Sequence, residues 1–199
     1  MPTVSAAAIE IALGVTTGML SGYYGRTVDR VLSFFADLTW SMPPIIMSMA
    51  IITVLGKGLD NVIIAIAVVS WAQYARIVRA KTQSLKNMVF VETAMAFNES
   101  NAAIMLRYIL PNIVPSIIVL ASLSIPATIT STTALSFLGL GAQPPSPDWG
   151  LALSSSMNNI SNAPWLAMYP GFASVFTVFG FSLFGEGLRD ILDPRLKSR

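Results

Sequence analysis

The chain contains no cysteine and no histidine among its 199 residues. Their absence excludes disulfides, cysteine nucleophiles, histidine bases and the common transition-metal sites. Charge is also scarce, because only 11% of the residues are charged, against about one quarter in a typical soluble domain. With 54% hydrophobic residues and a mean hydropathy of +0.66, a soluble protein of this length could not bury its apolar surface. The bilayer is therefore the expected solvent.

Long intervals of the sequence carry no charge at all. None of Asp, Glu, Lys or Arg occurs in 11–25, 38–56, 61–75, 108–147 or 149–185. A membrane helix needs roughly 20 mostly apolar residues, and its backbone polar groups must be satisfied within the segment. Barrel strands would alternate in polarity, which these intervals do not. We predict an all-α polytopic membrane protein with five spans, at about 4–24, 31–55, 60–79, 113–138 and 165–186.

The basic residues indicate an orientation. If the loop 80–111 is cytoplasmic, alternation of the spans leaves Lys57 as the only basic residue outside. The other eleven basic residues lie on the cytoplasmic side: Arg26, Arg30, Arg76, Arg79, Lys81, Lys86, Arg107, Arg189, Arg195, Lys197 and Arg199. This is the positive-inside pattern. It predicts a multi-pass protein of the cell membrane with its C-terminus in the cytoplasm.

The same alternation puts the N-terminus outside. The start of the chain, MPTVSAAAIEIALG, has no basic region and no small-residue cleavage site, so it is not a signal peptide. A first span with an outside start and no flanking charge is hard to insert. We therefore expect at least one further span before residue 1, and a natural five-span protein is the alternative.

Two features of the first predicted span concern packing and charge. Gly14, Gly18 and Gly22 form a GxxxGxxxG row, and small residues at this spacing mark a close helix–helix contact. Glu10 is an acid within a span, which makes it a functional candidate. Because it lies near the outer end of the helix, we expect its carboxylate to reach water instead.

Later spans contain prolines and hydroxyls. Pro43-Pro44 should kink or break the second span, since proline removes a backbone donor and clashes with the preceding turn. Asp37, in the same span, is expected to make a structural polar contact, with gating as the alternative.

The fourth span carries Pro115, Pro126 and a hydroxyl cluster: Thr128, Thr130, Ser131, Thr132 and Thr133. These hydroxyls could line a watery path, but bonds to their own helix are the favoured interpretation. The outer segment should hold a short helix at 150–158.

The predicted cytoplasmic loop is unusually apolar. Its first half, 88–97, has helical spacing and two apolar rows: Met88, Val91 and Met95, and Phe90, Ala94 and Phe97. Asn98 should end this helix, because Asn tolerates the left-handed conformation. The residues alone leave three covers open for its apolar surface: a soluble partner, as in helix-in-groove docking, the chain's own bundle, or the lipid interface.

The second half of the loop should form another helix. Ser100 or Asn101 can cap a helix over 101–110, which is expected to stop at Pro111. The loop is thus predicted to be a helix–turn–helix bracket.

This loop resembles the EAA loop of bacterial ABC importer permeases, whose pattern is E-A-A-x-x-x-G followed after nine residues by I-x-L-P. Glu92, Ala94, Leu110 and Pro111 fit that pattern at the right spacing. Thr93 and Tyr108 replace an Ala and an Ile, and Asn98 replaces the Gly. Asn for Gly is a mild change, because both residues accept left-handed geometry.

Further stretches extend the resemblance along the chain. GYYGRTVDRVL, SWAQYARIVRAKTQSL, ALSFLGLGAQPPSPDWG, APWLAMYPG and FGEGLRDILDPRLK are similar to the C-type permease subunit of the dipeptide/oligopeptide/nickel importer family. The resemblance implies one permease domain over 1–199, in the cell membrane of a bacterium or archaeon. Its members usually have six spans, which agrees with a missing first span. The implied solutes are peptides or related compounds, with nickel complexes as the alternative.

The resemblance also implies partners and a coupling site. The partners would be two cytoplasmic ATPase subunits, a second permease subunit and an extracytoplasmic substrate-binding protein, with no nucleic acid. The coupling residues carried over from the family are Glu92, Thr93, Ala94, Asn98, Leu110 and Pro111. Phe97 is predicted to join them from the apolar row beside the motif. The sequence holds no GxxxxGK[ST] phosphate loop, so we expect no catalytic residue and no bound cofactor or metal in this chain.

Two other classes of function remain as alternatives. A half of an ion-driven secondary transporter would show paired broken helices and matching intramembrane acids in two repeats. Only Glu10 and Asp37 are available, and no repeat is visible. The other alternative is a non-transporting membrane scaffold or an inactive fragment, which copurification with ATPase subunits would exclude.

Overall fold

The computed structural model describes residues 2–192, and every regular element in that range is helical. The helices are α1 (Pro2–Tyr24), α2 (Arg26–Trp40), α3 (Pro44–Leu55), α4 (Leu59–Lys86), α5 (Val89–Ala96), α6 (Asn101–Phe137), α7 (Trp149–Ser156) and α8 (Trp165–Leu192). The predicted all-α class is thereby confirmed. The basic residues Arg195, Lys197 and Arg199 lie outside the described residues.

Within residues 2–192, four helices are long and apolar enough to cross a membrane: α1 from Ser5 onwards, α4, α6 and α8. A fifth span arises if α2 and α3 count as one, and their axes bend by 91° at the break. The break falls at Pro43-Pro44, where the sequence predicted it. Proline at the start of α3 needs no hydrogen-bond donor, so the chain turns there without losing a helical bond.

The glycine row of α1 packs against α4, as predicted. A Cβ on Gly18 would lie 2.6 Å from the carbonyl oxygen of Ala75 and 2.8 Å from the Cβ of Val78. A Cβ on Gly22 would lie 2.7 Å from the carbonyl oxygen of Arg79. These distances are shorter than any real Cβ contact. The two backbones can approach this closely only because glycine has no side chain.

Glu10 does not reach water, so that prediction is wrong. The residue is fully buried, and neither carboxylate oxygen has a hydrogen-bond partner among the described residues. It lies one helical turn before Gly14 on the same face, and Gly14 contacts the Cβ of Tyr74 in α4. The close packing made possible by the glycines therefore covers the acid as well.

The helix that begins at Asn101 does not stop at Pro111, contrary to prediction. It continues to Phe137 through a π-helical segment, Ile104–Ile109. Across this segment the Leu110 N–H donates to the carbonyl of Met105, five residues earlier. Pro111 then lies in the first turn of the following α-helical stretch, where a missing N–H costs little.

Three hydroxyls of the fourth predicted span bond to their own helix. Thr128, Thr130 and Thr132 each donate to the carbonyl four residues earlier, at 3.1, 2.8 and 2.8 Å. The interpretation favoured from the sequence is confirmed for these three residues. Their hydroxyl protons are already used within α6.

The two ends of the bundle are formed by different segments. At one end, the Gly58 N–H donates to the carbonyl of Leu140 at 3.2 Å, which joins the two loops predicted to lie outside. The short helix α7 follows there near its predicted position, and the Asp148 side chain caps it by accepting from the Leu151 N–H at 2.9 Å. The end of α1, the end of α4 and the helix α5 meet at the other end.

Candidate functional site

The candidate site is the helix α5 and the turn after it. Asn98 has φ 59°, the left-handed conformation predicted for it. The Glu99 N–H returns to the carbonyl of Ala94 at 3.2 Å, which closes the helix end. Ser100 then caps the next helix by accepting from the Ala103 N–H at 3.3 Å. The predicted helix–turn–helix bracket is confirmed, with Ser100 as the cap.

One face of α5 is held by the chain's own bundle. Val91 is 0% exposed and Ala94 is 4% exposed. These two residues belong to an apolar cluster that also contains Met19, Tyr23, Val78, Ile104, Met105, Ile109 and Ile113. Three longer helices, α1, α4 and α6, therefore grip the inner face of α5.

The opposite side of α5 has no cover among the described residues. We call this surface the outer face of α5, and it consists of Met88, Val89, Phe90, Glu92, Thr93, Met95 and Phe97. Val89 is 77% and Phe97 80% exposed. The structure thus splits both predicted apolar rows: Val91 and Ala94 turn inwards, and their row-mates stay exposed. Of the predicted coupling residues, Ala94 lies on the inner side.

Polar bonds add to the grip on α5. The Tyr23 hydroxyl donates to Oδ1 of Asn101 at 2.9 Å, and Lys86 Nζ donates to the carbonyl of Tyr23 at 2.6 Å. The Tyr108 hydroxyl donates to Oε1 of Glu99 at 2.7 Å. These bonds join the segments that flank α5 to α1 and α6, because Lys86 precedes α5 and Glu99 and Asn101 follow it.

Leu110 and Pro111 lie apart from the outer face of α5. Leu110 packs half-buried against the apolar cluster that holds α5. Pro111 is exposed and lines a separate cavity between α4, α6 and α8. The structure therefore brings Glu92, Thr93, Phe97 and Asn98 together, and it gives Leu110 and Pro111 positions within the bundle end.

Sequence reasoning missed a charged network beside this end. Arg79 of α4 donates from Nε and Nη2 to the two carboxylate oxygens of Asp29 in α2, at 2.5 and 2.6 Å. Ser21 and Ser33 also donate to Oδ1 of Asp29, at 2.5 and 3.1 Å. The network fastens α2 to α1 and α4. The only signal in the sequence was an acid in a basic loop, which does not identify its partner.

Asp37 makes the structural contact expected of it. Arg76 Nη2 lies 2.6 Å from Asp37 Oδ1, and both side chains are about half exposed or more, at 47% and 63%. The Arg76 guanidinium also lies over the Trp40 ring, 4.9 Å from its centroid. This second pair gives a matched comparison for the first.

We expect Asp29→Asn to destabilise the protein by roughly 2 kcal/mol, because it removes the charge from a bidentate, partly buried pair. Asp37→Asn should cost less than about 1 kcal/mol, since exposed pairs are screened by water. Thermal unfolding of both variants in one detergent measures the difference. Equal melting temperatures for the two variants would show that the Asp29–Arg79 pair contributes no more to stability than the exposed Asp37–Arg76 pair.

A second prediction concerns Asn98. Asn98→Gly should leave stability almost unchanged, because glycine adopts the left-handed conformation freely. Asn98→Val should lower it by about 1–2 kcal/mol, since a β-branched residue is strained at positive φ. Limited proteolysis measures the difference: the loop after α5 should be cleaved faster in Asn98→Val than in the parent chain or in Asn98→Gly. Identical cleavage rates would show that the turn is not held in this conformation.

The geometry contains no metal centre within residues 2–192, where no three His, Cys, Asp or Glu side chains group together. The structure is that of a helical membrane protein in which the short helix α5 packs against one end of the bundle. The chain belongs to the family of binding-protein-dependent transport system inner membrane components, whose model matches residues 14–198. The predicted membership of the importer permease family is thereby confirmed.

Individual relatives have narrower names. The chain is 43% identical over 188 residues to a dipeptide transport system permease protein of Alkalihalophilus pseudofirmus, covering 94% of this chain and 62% of the relative. It is 40% identical over 190 residues to a glutathione transport system permease protein of Pectobacterium atrosepticum, covering 96% of this chain and 63% of the relative. The chain thus spans about three fifths of the length of these relatives.

A solved structure has the same fold. The inward-facing MetNI methionine ABC transporter matches with a TM-score of 0.71 and 16% sequence identity. The match covers 96% of this chain and 91% of that chain. At this identity the likeness establishes the fold alone.

Proposed function

We propose that this chain is a permease subunit of an ATP-driven importer and that the outer face of α5 docks on a separate ATPase subunit. The observation that carries the proposal is that α5 is buried on one side and exposed on the other. Val91 and Ala94 are buried in the bundle, whereas Phe97 on the other side is 80% exposed. An apolar face on a helix that is already anchored needs a second cover.

The outer face of α5 has the composition of a docking surface. Phe90 and Phe97 supply apolar anchors, and Glu92 and Thr93 supply a polar edge beside them. Aromatic anchors with a polar edge are typical of helices that insert into a groove of a partner. A cytoplasmic ATPase subunit is the partner that family membership favours.

The packing of α5 against the bundle gives a coupling mechanism. Movement of the ATPase would displace α5, and the packing of Val91 and Ala94 would pass this displacement to α1, α4 and α6. Packed helices move as rigid bodies. Asn98 keeps the turn after α5 fixed, and Leu110 and Pro111 set the direction in which α6 leaves the cluster. Repeated closure of the ATPase would then alternate the access of a central path.

We propose peptides or closely related small compounds as the solute, since the named relatives are permeases for dipeptide and glutathione transport. The path would form with a second permease subunit. The loop around Gln143-Pro144-Pro145 would face an extracytoplasmic substrate-binding protein. The positive-inside rule orients the chain in the inner membrane with α5 and the C-terminus in the cytoplasm.

The test is purification of the tagged full chain from detergent-solubilised membranes, followed by an ATPase assay with the copurified subunits. We expect an ATPase pair and a second permease to copurify. Addition of peptide-loaded binding protein should stimulate hydrolysis, and unloaded binding protein is the control. If the chain purifies alone, the importer assignment fails and the scaffold or inactive-fragment interpretation replaces it. If only a nickel complex stimulates hydrolysis, the assignment of peptides as the solute is wrong.

A further inference from the structure

A separate cavity lies between α4, α6 and α8, at the same end of the bundle as α5. Its volume is about 820 Å³. Lys81 of α4 and Arg189 of α8 line it together with Asn112 of α6. We call it the Lys81–Arg189 cavity. It shares no lining residue with the outer face of α5, so it is a distinct feature of this end.

Neither cation of this cavity forms a salt bridge in the part of the chain that the structure describes. Arg76 and Arg79, the preceding basic residues of α4, each pair with an aspartate. Within residues 2–192, neither Lys81 nor Arg189 forms such a pair. The two cations line one cavity, and like charges repel each other. An anion between them would remove that repulsion.

Apart from Ser116, the remaining wall of the cavity is apolar. Ile77, Leu120 and Leu123 line it on the side of the membrane-spanning stretches of α4 and α6. Ile77 is 37% exposed, so the wall reaches the lateral surface of the bundle. A small soluble anion would contact the cations but not this apolar wall. A phospholipid would contact both, because its phosphate carries the charge and its acyl chains are apolar.

We propose that the Lys81–Arg189 cavity binds an anionic phospholipid, with the phosphate between Lys81 and Arg189 and an acyl chain along Ile77, Leu120 and Leu123. Basic pockets between membrane helices on the cytoplasmic side are suited to anionic headgroups. Both basic residues belong to the set that the positive-inside rule assigns to the cytoplasmic side. A bound lipid would fill the space between α4, α6 and α8 and connect the three helices.

The test is native mass spectrometry of the full chain, with the subunits that copurify, titrated with phosphatidylglycerol or phosphatidylcholine. We expect phosphatidylglycerol to bind about 30-fold more tightly, the size expected for two cations near an anionic lipid. Lys81→Gln combined with Arg189→Gln should abolish this preference. Arg26→Gln combined with Arg30→Gln removes the same charge from residues outside the cavity and should leave it intact.

A second variant keeps both positive charges and separates the loss of charge from a loss of folding. Lys81→Arg combined with Arg189→Lys should retain the preference for phosphatidylglycerol, even if the glutamine variant is unstable. Equal binding of the two lipids by the unmodified chain would overturn the proposal. So would an undiminished preference in the glutamine variant. Displacement of phosphatidylglycerol by a soluble acidic dipeptide such as Ala-Asp would show that the cavity takes carboxylates of solutes instead, and the lipid assignment would be wrong.

Discussion

Replacing Gly18 by valine is expected to destabilise the protein by about 3 kcal/mol or more, a larger loss than either Asp29→Asn or Asn98→Val should cause. A Cβ at this position would lie 2.6 Å from the backbone carbonyl of Ala75 and 2.8 Å from Val78. Backbone atoms cannot move aside as the end of a flexible side chain can, so α1 would separate from α4. Glu10 would then lose its cover, because the same glycine row holds α4 over it.

Gly180→Val in α8 is the matched control. A Cβ built at Gly180 has no described neighbour within 4 Å apart from its adjacent residues and the backbone of its own helix. This variant should therefore be as stable as the parent or more so, since valine restricts the unfolded chain. Thermal unfolding in detergent and yield in the membrane fraction measure both variants. If Gly18→Val melted at the temperature of Gly180→Val, the close contact between α1 and α4 would be disproved.

Glu92→Arg is expected to abolish transport while leaving the protein folded and in the membrane. Glu92 is exposed on the outer face of α5 and has no partner within residues 2–192, so its replacement should not affect the bundle. At a docked surface, reversal of a charge costs enough binding free energy to weaken association by on the order of 30-fold or more. Uptake of radiolabelled dipeptide by cells measures transport, and immunoblotting of membranes measures the amount of protein.

Asp60→Arg provides the control for this variant. Asp60 is exposed in the first turn of α4, at the opposite end of the bundle, and its replacement makes the same change of charge. We expect uptake close to that of the parent from Asp60→Arg. Normal uptake by Glu92→Arg at an equal protein level would show that Glu92 takes no part in docking.

Features that depend on neighbours in sequence could be predicted. The row of Gly14, Gly18 and Gly22 has a helical period, so it identified a contact face without knowledge of the opposing helix. Pro43-Pro44 interrupts the helix between α2 and α3, because two successive prolines restrict the backbone of the residues just before them. Asn98 ends α5 for a similar reason, since its left-handed conformation belongs to a single residue.

Features that depend on distant residues could not be predicted. Glu10 was expected to reach water because its distance from the helix end is visible in sequence, whereas the cover provided by α4 is not. Pro111 was expected to end a helix, but a π-helical segment before it shifts the hydrogen bonds. The pairing of Asp29 with Arg79 spans fifty positions, and nothing in the loop indicates which arginine is the partner.

The division of α5 into two faces is the most informative of these differences. Helical spacing predicted two apolar rows, and the residues alone left open whether a partner, the bundle or the lipid interface covers them. The bundle buries Val91 from one row and Ala94 from the other, because these two residues lie three positions apart on the same side of the helix. The choice depends on where α1, α4 and α6 meet, which is a property of the packed structure.

The docking of α5 can be tested directly because the chain contains no cysteine. A single cysteine can be introduced as Phe97→Cys on the outer face of α5, or as Val54→Cys in α3, where the side chain is 87% exposed near the opposite end. Membranes carrying each variant would be treated with a short photoactivated thiol-reactive crosslinker. We predict that Phe97→Cys forms a covalent product with an ATPase subunit and that Val54→Cys does not. Failure of Phe97→Cys to crosslink, in membranes where the ATPase subunit is present, would contradict the proposed role of α5.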